Sequence, residues 1–232
     1  MHNQFPRSTL LSFLFVSLTL STCLVSAQQA TPSKPASPAV DEWGDDFSGT
    51  QLNEKNWEQF SFEGGSGGTL KVVDGQLQLR SVSGARSGVR SKQSFNGDHF
   101  VINAVLAKVG PALPESGQSG APLGNAIVTV LFDSSGRNRI EWILTSEGMF
   151  EAWAVVDGRA ERLDSRNLAT KATAPTLSIA RRGDEYLFAL NGQVGLQKTV
   201  KNLPKSFRVM LYGYGSSENN WDSIQVLVTK KQ

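Results

Sequence analysis

The sequence predicts an all-β domain built from two packed antiparallel sheets. Three observations carry that expectation. Beyond Asp41 the apolar residues alternate in short runs, broken roughly every 8 to 12 residues by Gly, Asn, Asp or Ser, which is the spacing of a β-sandwich. The breaks carry tight-turn chemistry at Asp74-Gly75, Ser135-Gly136, Asp157-Gly158, Gly183-Asp184 and Asn191-Gly192. Almost no stretch has the 3.6-residue period of a long amphipathic helix.

In chain order, Met1 to Ala27 combines a polar start containing Arg7, an apolar run from Leu10 to Leu20 and the small residues Val25-Ser26-Ala27, the three-part pattern of a secretory signal peptide cleaved after Ala27. The run is about half the ~20 residues a membrane-crossing helix needs, so no transmembrane helix is expected in the mature chain. Cys23 offers the alternative of a bacterial lipoprotein, although Thr22 departs from the small residue usual before a lipid-modified cysteine. Residues 28–41, with Pro32, Pro35 and Pro38 among Ala, Ser and Thr, read as a stiff tether. The domain is expected over residues 42–232. Its expected strands are Leu70–Val73 and Leu77–Arg80 around Asp74-Gly75, then Phe100–Val109, Ala126–Asp133, Arg139–Thr145, Met149–Val156, Thr176–Arg181, Tyr186–Leu190, Phe207–Tyr214 and Ile224–Val228. Gly64–Gly68 and Pro111–Gly124 are irregular, as binding loops, lids or disordered tips are.

Composition narrows the function. Twenty-three Lys and Arg against 21 Asp and Glu give a net charge of +2, too little positive charge to hold a nucleic-acid backbone. The two histidines, His2 and His99, exclude a multi-histidine metal centre, and the single Cys leaves the signal-cleaved chain without disulfides, suited to a periplasmic or secreted bacterial protein with a sizeable core.

Several segments in order resemble the concanavalin A-like jelly-roll superfamily of legume lectins, laminin-G-like domains and glucanases. They are Asp45-Asp46-Phe47-Ser48-Gly49 through Leu52 to Trp57, Val73-Asp74-Gly75-Gln76-Leu77, Ser87-Gly88-Val89, the Gly183-to-Gly192 hairpin, and Trp221-Asp222-Ser223-Ile224-Gln225-Val226. The resemblance implies a two-sheet antiparallel jelly roll whose concave face takes extended sugars. Members often hold a structural calcium near the paired first and last strands, which points to Asp46 and Asp222. No other cofactor is implied.

Glucanases of this fold carry a strand of the type E-[IL]-D-x-x-E, with nucleophile and acid about 5.5 Å apart. The matching segment here is Arg139-Ile140-Glu141-Trp142-Ile143-Leu144-Thr145, whose further carboxylates are missing. A hairpin of Arg139–Thr145 with Met149–Val156 pairs Ile143 with Glu151 and Glu141 with Trp153. Ile140, Trp142, Leu144, Phe150, Ala152, Ala154 and Val156 then form the core face, and Arg139, Glu141, Glu151 and Trp153 the other. An aromatic ring beside charged groups suits sugar, whose C–H faces stack while its hydroxyls hydrogen-bond. The competing reading is a solvated outer face. Tyr212 and Tyr214, on the outward side of Phe207–Tyr214, either extend the platform or pack beneath the Pro111–Gly124 loop. His99, beside the turn Asn96-Gly97-Asp98, reads as structural before catalytic. Arg80, Arg86 and Arg90 are either solvated or able to meet an acidic sugar.

The function expected is therefore an exported, non-catalytic glycan-binding module. The alternatives are a polysaccharide hydrolase using Glu141 and Glu151, and a cell-envelope protein-interaction module.

Overall fold

The computed structural model describes residues 39–62, 68–82, 86–110, 124–167, 174–215 and 217–230, all within the unit Ser37–Gln232. The expected signal peptide with Cys23, the tether as far as residue 38, and most of the Gly64–Gly68 and Pro111–Gly124 stretches lie outside the described residues.

Sixteen strands and no helix occur among the described residues. They are β1 Val40–Asp45, β2 Trp57–Phe62, β3 Gly68–Val73, β4 Gln76–Ser81, β5 Arg86–Ser91, β6 Phe95–Asn96, β7 His99–Val109 and β8 Asn125–Leu131. Then follow β9 Arg139–Thr145, β10 Met149–Val156, β11 Arg159–Asn167, β12 Thr176–Arg182, β13 Glu185–Leu190, β14 Gln193–Thr199, β15 Ser206–Tyr214 and β16 Glu218–Thr229. The first sheet has the order β14-β13-β12-β7-β16-β4-β3, with β1 also on β16; the second has β11-β10-β9-β8-β15-β5-β2, with β6 on β15. Every pairing is antiparallel.

The turn residues do what their chemistry requires. Asp74-Gly75, Asp157-Gly158 and Asn191-Gly192 all have positive φ at both positions, the condition for a two-residue type I′ hairpin. All ten expected strands are present, β9 and β10 with the expected bounds and the other eight with shifted ends, and six more were not foreseen. β1 takes in Val40 and Asp41, which the sequence reading assigned to the tether. β11 and β14 are edge strands rich in polar residues, and β5 has Val89 as its single large apolar residue among Arg, Ser and Gly, so none has a clear apolar alternation. β16 begins at Glu218, well before Ile224, because Glu218–Trp221 pair with β4 while Asp45–Val40 pair with Ile224–Thr229.

One core lies between the sheets. The inward residues Ile140, Trp142, Leu144, Phe150, Ala152 and Ala154 of β9 and β10 meet Ile102, Ile179, Phe188 and Val226 of the first sheet. Phe207, Val209 and Leu211 of β15 also point inward, as their alternation requires. At one end, Trp57 is fully buried and its Nε1 donates to Asp45 Oδ2 at 2.9 Å. Asn56 Nδ2 donates to the same oxygen at 3.2 Å, and Phe47 N–H donates to Asp45 Oδ1 at 2.9 Å. Asp45 thus fastens the chain between β1 and β2 onto the core.

Asp45→Ala leaves the buried Trp57 indole without its acceptor and is expected to lower the unfolding free energy by about 1–3 kcal/mol. Asp46→Ala, which loses only local bonds to Ser48 at an exposed site, is expected to leave the urea midpoint essentially unchanged. Equal midpoints for the two variants in urea titration contradict this assignment.

Candidate functional site

The face of the second sheet turned away from the core carries its own apolar cluster. Phe62, Ile127, Leu131, Ile143, Met210 and Tyr212 are buried there, with Phe60, Trp153 and Tyr214 packed against them. All nine come from the second sheet, so alternation along each strand fills both of its faces.

Register fixes the layout of this outer face. Glu58, Arg90, Met210, Thr129, Glu141, Trp153 and Arg162 form one row crossing β2, β5, β15, β8, β9, β10 and β11. The next row is Phe60, Gly88, Tyr212, Ile127, Ile143, Glu151 and Ser165. The pairings Glu141 with Trp153 and Ile143 with Glu151 are those the sequence predicts. Gly88 has a specific reason in this layout: a Cβ there would lie 2.0 Å from the Leu211 carbonyl oxygen and 2.6 Å from Tyr212 Cβ.

Glu141 sits in the middle of the sheet and is only 6% exposed. Its Oε1 accepts from Arg139 Nε at 2.6 Å and from the Tyr212 hydroxyl at 2.6 Å. Arg139 also donates to the Gly136 carbonyl and lies over the Phe62 ring at 4.8 Å. Phe62 in turn meets Tyr212 edge-on at 5.4 Å. Burial drives the Tyr212 hydroxyl well above its usual pKa, and the neighbouring Glu141 carboxylate adds to the shift. Beside Glu141, Thr129 is fully buried and its Oγ1 has no hydrogen-bond partner.

Trp153 and Glu151 are half-buried. Trp153 Nε1 donates to Glu151 Oε2 at 3.0 Å, and Arg162 stands 3.6 Å from Glu151 Oε1. Tyr214, also half-buried, is raised in pKa first by burial and then by Glu151 and Glu141. The structure therefore gathers all six expected ligand-binding residues on one face, but in two roles. Trp153, Glu151, Tyr214 and Arg139 retain exposure, whereas Glu141 and Tyr212 are buried beneath them.

The remaining candidates separate. Arg86 and Arg90 lie on the outer face, while Arg80 is in the first sheet opposite Glu218. His99 begins β7 in the first sheet, its Nδ1 2.9 Å from Asp98 Oδ1, and Asp98 also holds Lys205 at 2.9 Å. Asp46 follows β1, and Asp222 is an exposed residue at an irregularity of β16, close to the β1–β16 pairing. Among the described residues no three His, Cys, Asp or Glu side chains converge as a metal site, so calcium there would take most of its six to eight oxygens from backbone carbonyls.

Sequence reasoning missed β2 and with it Phe60, Phe62 and Glu58 on the outer face. The alternation of Glu58, Phe60 and Phe62 in Trp57-Glu58-Gln59-Phe60-Ser61-Phe62 is the signal that marks them. It also missed a cavity of about 590 Å³ at the Glu58 end, lined by Arg90, Lys92 and Arg208.

No protein-family model and no curated protein matches this chain. Solved structures do. An endo-β-1,3-glucanase from Pyrococcus furiosus superposes with a TM-score of 0.62 at 13% identity, covering 82% of this chain and 94% of the glucanase. A Bacillus licheniformis β-glucanase gives 0.59 at 12% identity, covering 82% and 98%. A β-1,3-1,4-glucanase (lichenase) derived from a mouse hindgut metagenome gives 0.60 at 9%, covering 80% and 98%. The fold is the concanavalin A-like jelly roll. Within this jelly roll, β9 presents Arg139, Glu141, Ile143 and Thr145 outward, a single carboxylate where the glucanase-type strand has three.

The buried Tyr212 makes a pH prediction. Its raised folded-state pKa leaves it neutral while an unfolded tyrosine ionises near pH 10, so its contribution is present below about pH 10 and is lost as pH rises toward the folded value. Stability is expected to fall above about pH 10 and to fall less steeply in Tyr212→Phe. Parallel alkaline limbs in urea titrations at several pH values contradict this.

Proposed function

We propose that this jelly roll is an exported, non-catalytic carbohydrate-binding domain that takes an extended glycan across the outer face of its second sheet, with Trp153 as the stacking ring. The observation that carries the reading is the surroundings of Glu141. Its four nearest neighbours on the face are Arg139 and Ile143 along β9, and Thr129 and Trp153 across it, and none is a carboxylate. Retaining hydrolysis needs two carboxyl groups about 5.5 Å apart, and inversion needs two further apart with room for a water. Glu151 shares the face only diagonally and is engaged by Trp153 and Arg162, while Glu141 is covered and already accepts from two donors.

What the face does offer suits binding. Trp153 has an exposed part for C–H stacking, and Glu151, Arg162 and Arg139 surround it with groups that bond to hydroxyls. Glu141 and Tyr212 are positioning residues in this account. They hold Arg139 and the floor on which Trp153 rests. The glucanases that share the fold act on β-glucans by their names, which supports an extended sugar as ligand. The signal-like segment Met1–Ala27 supports export.

The test is affinity electrophoresis of the purified protein in gels holding neutral or acidic polysaccharides, with soluble products assayed for new reducing ends. Retention on at least one polysaccharide is expected, weakened about ten-fold or more in Trp153→Ala, without new reducing ends. New ends that vanish in Glu141→Gln make the domain a hydrolase. Retention unchanged in Trp153→Ala moves the binding face elsewhere.

A further inference from the structure

Resting on the reading that the outer face binds glycan, we propose that the glycan is acidic, with a carboxylate or sulfate group seated in the cavity between Arg90, Lys92 and Arg208. The cavity continues the central row at the end opposite Trp153, and Ser94 and Ser206 add hydroxyls to its rim. Those two hydroxyls lie 3.0 Å apart and are exposed.

Glu58 organises the cations without using them up. Its Oε1 accepts from Arg90 Nε at 3.0 Å, Arg90 Nη2 at 2.7 Å and Arg208 Nη1 at 2.9 Å. One carboxylate oxygen therefore fixes two guanidiniums, and each guanidinium carries five N–H donors in a rigid fork. Arg90 is further held over the Phe60 ring at 4.1 Å. Lys92 is exposed and forms no ion pair among the described residues. The other acid of the lining, Asp133, turns one oxygen to its own loop, accepting from Ser135 Oγ at 2.7 Å and Arg137 N–H at 3.1 Å; its second oxygen is buried without a hydrogen-bond partner. Directional donors held in place before the ligand arrives recognise an anion better than mobile surface lysines do.

The charge of the whole face agrees. Arg86, Arg90, Lys92, Arg139, Arg162 and Arg208 stand there or in the cavity against Glu58, Asp133, Glu141 and Glu151, an excess of two positive charges on a chain whose total is +2. Positive charge is therefore concentrated on the face that carries the stacking ring. Trp153 and Arg90 are four strands apart, roughly 19 Å. A chain of several sugars reaches both, and a single sugar does not.

The full-length protein is tested for retention on polygalacturonate, on dextran sulfate, on neutral dextran and laminarin, and on inorganic polyphosphate. Retention on polygalacturonate or dextran sulfate is expected, and which of the two is retained assigns the carboxylate or the sulfate. Lys92→Gln and Arg208→Gln are each expected to weaken it about ten-fold with unchanged thermal midpoints. Lys92, exposed and unpaired among the described residues, keeps the test valid if Arg208→Gln disturbs folding. Retention on neutral polysaccharides alone, acidic retention that Lys92→Gln leaves intact, or equal retention on polyphosphate overturns the acidic-glycan assignment only. Retention on nothing overturns the glycan-binding reading as well.

Discussion

The bond pair that joins Arg139, Glu141 and the Tyr212 hydroxyl holds the outer face of the second sheet together. A carboxylate removed from water must be compensated by charge and by hydrogen bonds. Glu141 obtains both on one oxygen, from neighbours on its own strand and from β15, two strands away. The arrangement ties β9 to β15 across β8 and lays Tyr212 against Phe62. Phe62 then carries the Arg139 guanidinium, which closes the circuit. Without this compensation the middle of the face would be a buried charge, and the half-buried Trp153 and Tyr214 at its border would lose their support.

The consequence for chemistry is a division of labour. In a glycosidase the central carboxylates must remain free to meet the glycosidic bond, and their protonation is poised by their surroundings. Here the central carboxylate is buried and accepts from Arg139 and Tyr212, and under the proposed reading the groups that meet the ligand lie at the two ends of the row. One end has a ring with an acid and an arginine, and the other has two arginines fixed by a single glutamate beside a lysine. A sheet with apolar residues on both sides of its middle strands and polar anchors at its ends is suited to holding a long ligand in place.

Much of this was legible in the sequence. The alternation in β9 and β10, read as one hairpin, placed Glu141 against Trp153. The dipeptides Asp74-Gly75, Asp157-Gly158 and Asn191-Gly192 announced their hairpins because few residue pairs tolerate positive φ twice. What stayed hidden has physical causes. β5 contributes Gly88 for close approach and Arg90 for pairing, so its Arg-Ser-Gly-Val-Arg-Ser sequence looks like a loop. The burial of Tyr212 and Glu141 depends on neighbours from distant strands, which no local pattern contains. The cluster of Arg90, Lys92 and Arg208 joins residues more than a hundred positions apart that meet only because β15 pairs with β5. Arg181 is a similar case: it is buried at the end of the core and donates to the carbonyls of Gly183, Leu203 and Pro204.

The most direct test of the account uses the tryptophan indoles as reporters of where a glycan lands. Trp57, Trp142 and Trp221 are buried in the core with hydrogen-bonded indoles, whereas Trp153 lies at the border of the outer face. In a ¹⁵N-labelled sample titrated with short neutral and acidic oligosaccharides, the account predicts that the Trp153 indole N–H resonance shifts in a saturable way while those of Trp57, Trp142 and Trp221 stay in place. A stationary Trp153 signal, with saturable shifts confined to residues of the first sheet, would contradict it.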